Sequence, residues 1–136
     1  RAGYPLVDIR VRLFDGKAHS VDSSDMAFQT AGQLALKDAA TKTQILLLEP
    51  VDEVSVLISD DYVGQVMSDL SSRRGRVLGS EAIAGGRTLI RAEVPQLEII
   101  RYSIDLRSMS QGTGTFNRTF LRYEPLPSNL AAKIAE

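Results

Sequence analysis

The sequence predicts an α+β fold, and three observations carry that reading. Asp69-Leu70-Ser71-Ser72 and Asp105-Leu106-Arg107-Ser108 are two copies of a D-L-x-S tetrad set 36 residues apart. Each tetrad closes an amphipathic stretch that gives way to glycine and then to an apolar strand. The strand-like run Val54 to Ile58 opens the first unit, and a second such run starts at Ile90, again 36 residues on. Two strand-helix-strand units in succession make β-α-β-β-α-β, the ferredoxin-like antiparallel sandwich.

The elements can be justified in order. Val7-Asp8-Ile9-Arg10-Val11-Arg12-Leu13 alternates apolar and charged residues, the period of a half-buried strand, and Asp15-Gly16 ends it in a turn. Asp22, Ser23 and Ser24 offer capping oxygens and Asp25 adds charge to a first turn, so a helix is expected from about Ser24 to Thr41. Its stripe of Ala27, Phe28, Ala31, Leu34, Ala35 and Ala39 needs a sheet to cover it. The first 48 residues supply only the strand above and a short one at Ile45 to Leu48. This β-α-β segment therefore reads as part of a domain, an expectation in keeping with a sequence that opens on Arg1 and not on methionine.

Glu49-Pro50 marks a boundary, because proline holds its predecessor extended. The expected second domain covers residues 49–126, and a tail of residues 127–136 has the makings of a terminal helix from Ser128. Within the domain, Tyr62, Val63, Val66, Met67 and Leu70 share one face of a helix from Asp60 to Arg73. Ser59 or Asp60 would cap its start, Arg73 and Arg74 suit its carbonyl end, and Gly75 is placed for a left-handed conformation. A strand from Gly75 to Ile83 follows, and Ala84-Gly85-Gly86-Arg87 joins it to the next as a hairpin. After Pro95, Leu97, Ile100 and Ile104 mark the apolar face of a second helix, widened by Tyr102 and Leu106. Gln111-Gly112-Thr113-Gly114 reads as a flexible junction into a last strand with Phe116 and Phe120 on one face. A repeated βαβ unit is expected to bring both helix C-termini to the same edge of the sheet.

Composition excludes several functions. With 43% apolar residues the chain can build a core, and no apolar run approaches the roughly 20 residues of a membrane span. No cysteine is present and His19 is the only histidine, which removes disulfides, thiolate metal sites and histidine-based metal sites. Net charge is -1, yet charge is segregated: Arg73 to Arg122 holds nine arginines against four acids, whereas Glu49 to Asp61 holds five acids and no base. That imbalance suits either a solvated surface or a phosphate-facing side.

Three segments are candidates for chemistry. Gly112-Thr113-Gly114-Thr115 begins like a phosphate loop but leads into a strand, and a nucleotide fingerprint needs a helix N-terminus there. No G-x-x-x-x-G-K-[ST] occurs. His19 sits in a polar loop with Lys17 and Ser20, without the nucleophile and orienting partner a catalytic base requires, so it reads as solvated or as touching a partner. Arg73-Arg74-Gly75-Arg76 and Arg107-Ser108-Met109-Ser110-Gln111-Gly112 place guanidinium, hydroxyl and amide donors at two helix ends, a set suited to phosphate contacts. Capping uses only part of a guanidinium, so Arg73 and Arg74 are expected to cap and contact phosphate at once. An acylphosphatase-like enzyme on this fold is disfavoured by acidic Ser59-Asp60-Asp61 where an anion cradle would follow the first strand.

Several stretches, in order, resemble the C-terminal part of bacterial elongation factor G: Gly3-Tyr4-Pro5-Leu6-Val7-Asp8, Asp15 to Phe28, Leu48-Glu49-Pro50, Ser72-Arg73-Arg74-Gly75 and Leu106 to Gly112. The resemblance implies that residues 1–48 are the second half of the fourth domain, similar to the second domain of a small-subunit ribosomal protein, and residues 49–126 the ferredoxin-like fifth domain. It further implies a cytoplasmic, monomeric ribosome-binding piece of a translational GTPase that promotes translocation of tRNA and mRNA. The partners implied are ribosomal RNA, the stalk base and the tRNA and mRNA of the decoding region, with no membrane. His19, with Lys17 and Ser20, would lie at the tip of the fourth domain, and Arg73, Arg74, Arg107 and Gln111 would meet ribosomal RNA. GTP and magnesium would belong to an upstream G domain, leaving this piece without cofactor, metal or catalytic residue. The sequence departs from the family at Gly112-Thr113-Gly114, where G-R-G is usual, at Ile100-Arg101-Tyr102, where Phe-Gly-Tyr is common, and at Ala18 and Ser20. The departures point to a divergent paralogue. Recycling of ribosomes, ribosomal protection, and a ferredoxin-like interaction module without an RNA role are the alternatives.

Overall fold

The computed structural model describes residues 2–134 and divides them into two compact units, residues 48–126 and residues 2–47 with 127–134. In the first of these units four strands form one antiparallel sheet in the order β2-β3-β1-β4. They are β1 (Leu48–Ser59), β2 (Arg76–Ile83), β3 (Arg87–Pro95) and β4 (Thr115–Pro125). Helices α2 (Val63–Ser72) and α3 (Tyr102–Met109) connect β1 to β2 and β3 to β4, each entered through a short 3₁₀ turn, Asp60–Tyr62 and Gln96–Glu98. This is the ferredoxin-like βαββαβ arrangement that the repeat predicts.

The core follows from the alternation of the two central strands. Val54, Val56 and Ile58 of β1 and Ile90, Ala92 and Val94 of β3 point to one face, opposite Val66 and Leu70 of α2, Ile99 at the end of the second 3₁₀ turn, and Tyr102 and Leu106 of α3. Each large side chain so buried stabilises by about 1.5–3 kcal/mol. Tyr102 also meets Phe116 of β4 edge to face, with centroids 4.9 Å apart. Its hydroxyl is buried without a hydrogen-bond partner among the described residues, and desolvation raises its pKa.

β1 begins earlier than the sequence suggests. Pro50 lies inside it, opposite Tyr123, because the β1–β3 ladder stops at Val51–Pro95 and a proline without N–H interrupts no hydrogen bond on that side. The hairpin forms as expected, with Gly85 at φ 88° and Gly86 at φ 68°. Neither Ser59 nor Asp60 caps the first helix through its side chain; the Asp60 carboxylate accepts from Thr88 instead. The face of α3 is also rotated from expectation. Ile99, Tyr102 and Leu106 face the sheet, whereas Leu97, Ile100 and Ile104 are exposed, because the 3₁₀ turn breaks the helical phase assumed from Leu97 onward.

The two helix C-termini lie at opposite ends of the sheet, not at one edge. β1 and β3 are antiparallel, so the helices that follow them are antiparallel as well. Arg73, at the end of α2, accordingly meets Glu98 and Tyr102 at the start of α3.

The last junction is built, not flexible. Ser110, fully buried, donates from Oγ to the Leu106 carbonyl at 2.7 Å and accepts from the Gly114 N–H at 2.8 Å. A Cβ on Gly114 would sit 2.8 Å from Ile58 Cδ1 and 2.9 Å from Ser110 Oγ.

In the other unit α1 (Asp25–Lys42) starts where expected, with Ser24 Oγ accepting from the Ala27 N–H at 3.1 Å. None of its residues is buried. The strand expected at Val7 to Leu13 is not formed, and of the short one expected at Ile45 to Leu48 only Leu48 is strand, as the first residue of β1. A strand exists only through a ladder, no described segment pairs with residues 7–13 or 45–47, and Asp8 at φ 55° breaks the extended run. The terminal helix α4 (Ser128–Ile134) is present; the last two residues of the expected tail lie outside the described residues. No helix among the described residues is long and apolar enough to cross a membrane.

Substituting Gly114→Ala should destabilise residues 48–126 by about 1–3 kcal/mol through overpacking, read as a lower denaturation midpoint. Tyr102→Phe, which keeps the ring and removes an orphaned hydroxyl, should leave that midpoint unchanged or raised.

Candidate nucleic-acid interface

The two helix ends share a backbone design. α2 closes on Arg73, followed by Arg74 at φ 57° and Gly75, whose N–H donates to the Leu70 carbonyl at 2.9 Å. α3 closes on Ser110, followed by Gln111 at φ 52° and Gly112, whose N–H donates to the Arg107 carbonyl at 2.8 Å. Both are six-residue closures through a left-handed residue. The left-handed position in the first is Arg74, not Gly75. Gly75 is needed for a different reason: a Cβ there would overlap the Leu70 carbonyl oxygen.

The side chains at the two ends do opposite things. Arg73 donates from Nε to Asp69 at 2.8 Å, from Nη2 to Asp105 at 2.7 Å and from Nη1 to the Glu98 carbonyl at 2.8 Å, with its guanidinium 5.1 Å from the Tyr102 ring centroid. The aspartates of the two repeated tetrads thus converge on one guanidinium. Arg74 grips Glu49 with two bonds of 2.6 and 2.9 Å and reaches Glu98 at 3.0 Å. Glu49 is buried, 5% exposed, and this bidentate pairing compensates its desolvation. Burial opposes the charged form of Arg73, but its bonds to Asp69 and Asp105 outweigh that and raise its pKa. Arg74 is raised by its bonds to Glu49, then Glu98, against desolvation. Most donors of both arginines are therefore spent within the domain, contrary to the expectation that capping would leave them free for phosphate.

Arg107 and Gln111, at the other end, are exposed, and neither makes a side-chain hydrogen bond among the described residues. Lys17, His19 and Ser20 lie in the exposed loop before α1, where the His19 N–H donates to Ser23 Oγ at 2.6 Å. Of the seven residues singled out from sequence, the structure brings Arg73 and Arg74 together in one ion network. It sets Arg107 and Gln111 on a separate closure.

Much of the positive charge from Arg73 to Arg122 is neutralised. Glu93, on the uncovered sheet face, takes Arg122 at 2.7 Å and Arg76 at 2.5 Å, and those bonds pull its pKa down from 4.5 to about 2. Asp52, 2% exposed, accepts from Gln96 at 2.6 Å and lies 3.8 Å from Arg118. No side-chain hydrogen bond among the described residues involves Arg87, Arg91, Arg101 or Arg107. The uncovered positions of β1 and β3 are Glu53, Ser55, Leu57, Leu89, Arg91 and Glu93. Without an aromatic residue there, the sheet lacks the base-stacking platform by which RNA-recognition sheets of this topology work.

Comparison with known proteins bears on the same segments. A model of the elongation factor G C-terminus matches residues 46–134, and one of elongation factor G domain IV matches residues 1–44. The chain belongs to the elongation factor G family. It is 64% identical over 133 residues to an elongation factor G-like protein of Mycobacterium tuberculosis and 54% identical over 133 residues to elongation factor G of Aquifex pyrophilus. Each match covers 98% of this chain and 19% of the relative, so the chain spans about a fifth of the length of these family members. A crystal structure from Thermus thermophilus superposes with a TM-score of 0.75 at 41% identity, covering 88% of this chain and 18% of that one.

The hydroxyl of Ser110, included in the expected phosphate-facing donor set, is instead buried and bonded within the domain, and sequence reasoning missed the roles of Gly114, Glu49 and Glu98. The Asp69–Arg73 pair was legible as an i,i+4 spacing, but Glu49 and Arg74 are 25 residues apart and meet only through the topology.

Arg73→Ala should cost about 1–3 kcal/mol of stability, since it strands partly buried carboxylates, measurable by urea denaturation. Glu93 has a depressed folded-state pKa, so its contribution is full above about pH 4.5 and is lost as pH falls toward about 2. The stability difference between the wild type and Glu93→Gln should therefore be constant at neutral pH and shrink below about pH 4.5.

Proposed function

We propose that this chain is a ribosome-binding, C-terminal part of a cytoplasmic translational GTPase that promotes GTP-dependent translocation of tRNA and mRNA. Family membership over both parts of the chain supports the reading. The observation that carries its structural side is the unspent donor set at the end of α3, Arg107 and Gln111, held on a closed helix terminus. Such a set contacts phosphate without reading base sequence, as a factor that must engage a fixed RNA surface repeatedly requires. Lys17, His19 and Ser20 are the corresponding candidates in the first unit, at an exposed loop that would face tRNA and mRNA. GTP and magnesium would be held by a G domain of the whole protein; this chain contains no phosphate-loop sequence and its role is binding.

In this reading Arg73 and Arg74 support the domain, and Arg107 and Gln111 meet ribosomal RNA. Titration of the chain onto purified bacterial ribosomes at several salt concentrations tests it. Affinity should fall steeply with salt, and Arg107→Ala should weaken binding about tenfold and reduce the salt slope by about one. Absent or salt-insensitive binding, or binding unchanged in Arg107→Ala, contradicts the proposal.

A further inference from the structure

We infer that the buried Ser110 hydroxyl is the positioning residue that presents Arg107 and Gln111 to phosphate, an inference that rests on the ribosomal reading above. The two helix ends have the same backbone closure but different locks. At α2 the lock is ionic and consumes the guanidiniums of Arg73 and Arg74. At α3 no ion pair involving Arg107 is found among the described residues, and the side chains that hold the closure are the neutral hydroxyls of Ser110 and Thr113.

The Ser110 hydroxyl is used fully in the direction the closure needs. Ser110 Oγ donates backward to the Leu106 carbonyl at 2.7 Å and accepts forward from the Gly114 N–H at 2.8 Å. The Ser110 carbonyl takes the Thr113 N–H at 3.1 Å and Thr113 Oγ1 at 2.7 Å. One residue thus ties the last turn of α3 to the first residues before β4 and fixes the left-handed Gln111 between them. The close approach is possible only because Gly114 has no side chain: Ile58, Ser110 and Leu106 all lie within 3.1 Å of where its Cβ would be. A neutral lock leaves the exposed donors free, whereas an ionic lock of the kind at α2 would neutralise them. Without the hydroxyl, the Leu106 carbonyl keeps the Ser110 N–H at 3.0 Å, but the buried Gly114 N–H loses its partner, and the loop must reopen to water to satisfy it. Arg107 and Gln111 then become mobile, and a phosphate contact has to order them again.

The test is a double-mutant cycle on ribosome binding, using the chain with Ser110→Ala, Arg107→Ala, both together, and Ser110→Thr, which keeps the hydroxyl. Circular dichroism and thermal melts establish that each variant is folded at the binding temperature, and a less stable Ser110→Ala is compared at a temperature where it remains folded. Ser110→Ala should weaken binding about tenfold and lower the salt slope by about one, the double variant should bind more tightly than the product of the two single effects, and Ser110→Thr should restore wild-type binding. Arg107→Ala weakening binding while Ser110→Ala does not, or the two effects multiplying independently, overturns the positioning role and leaves the ribosomal reading intact. Wild type and Arg107→Ala binding alike, or wild type failing to bind, overturns that reading and this inference with it.

Discussion

Arg73 is the constraint around which residues 48–126 are arranged. It closes α2, sits over the Tyr102 ring and receives one carboxylate from each repeated tetrad, Asp69 from its own helix and Asp105 from the other. Arg74 beside it extends the tie to Glu49 at the start of β1 and Glu98 before α3. Two adjacent residues therefore join both helices to the central strand at one end of the sheet. Apolar packing supplies most of the stabilisation of this fold, but it is non-directional. The ion network sets how the end of α2 meets the start of α3.

The charge pattern of the sequence takes its meaning from this arrangement. Read along the chain, an acidic stretch from Glu49 to Asp61 precedes an arginine-rich one. Folded, the two are paired in part, Glu49 with Arg74 and Asp52 near Arg118, while Glu93 pairs with Arg76 and Arg122 inside the arginine-rich stretch itself. Antiparallel topology brings early acids to late arginines at Glu49 and Asp52, and neighbouring strands pair Glu93 with Arg76 and Arg122. Arg87, Arg91, Arg101 and Arg107 are left without a side-chain hydrogen bond among the described residues, and of these Arg107, with Gln111, stands at a helix C-terminus whose backbone is as tightly closed as that of α2.

Much of the ferredoxin-like fold was legible, because strand alternation, the helical stripe of Tyr62 to Leu70 and the Gly85-Gly86 hairpin are local signals. The errors share a physical cause, which is that sequence spacing does not reveal phase or partners. A 3₁₀ turn after Pro95 rotated α3 so that Ile99 entered the core in place of Leu97, Ile100 and Ile104. Val7 to Leu13 has a strand's alternation but no ladder among the described residues. The site was legible in part: the residue types at both helix ends suggested phosphate, while the distinction between spent and unspent guanidiniums depends on Glu49 and Glu98, which are remote in sequence. The Ser110–Gly114 tie is four residues long and could have been suspected from a serine at a helix end followed by glycine.

In the proposed function opposite ends of one domain have separate tasks, α2's end holding the fold and α3's end meeting ribosomal RNA. The chain has no cysteine, so a single introduced thiol gives a unique attachment point for a hydroxyl-radical source. Ser71→Cys and Ser108→Cys place that point on exposed positions beside the two closures. On ribosome complexes, the probe at position 108 should cleave ribosomal RNA at a localised site and the probe at position 71 should leave that site uncut. Cleavage of the same site from position 71 alone, or from neither, would contradict the account.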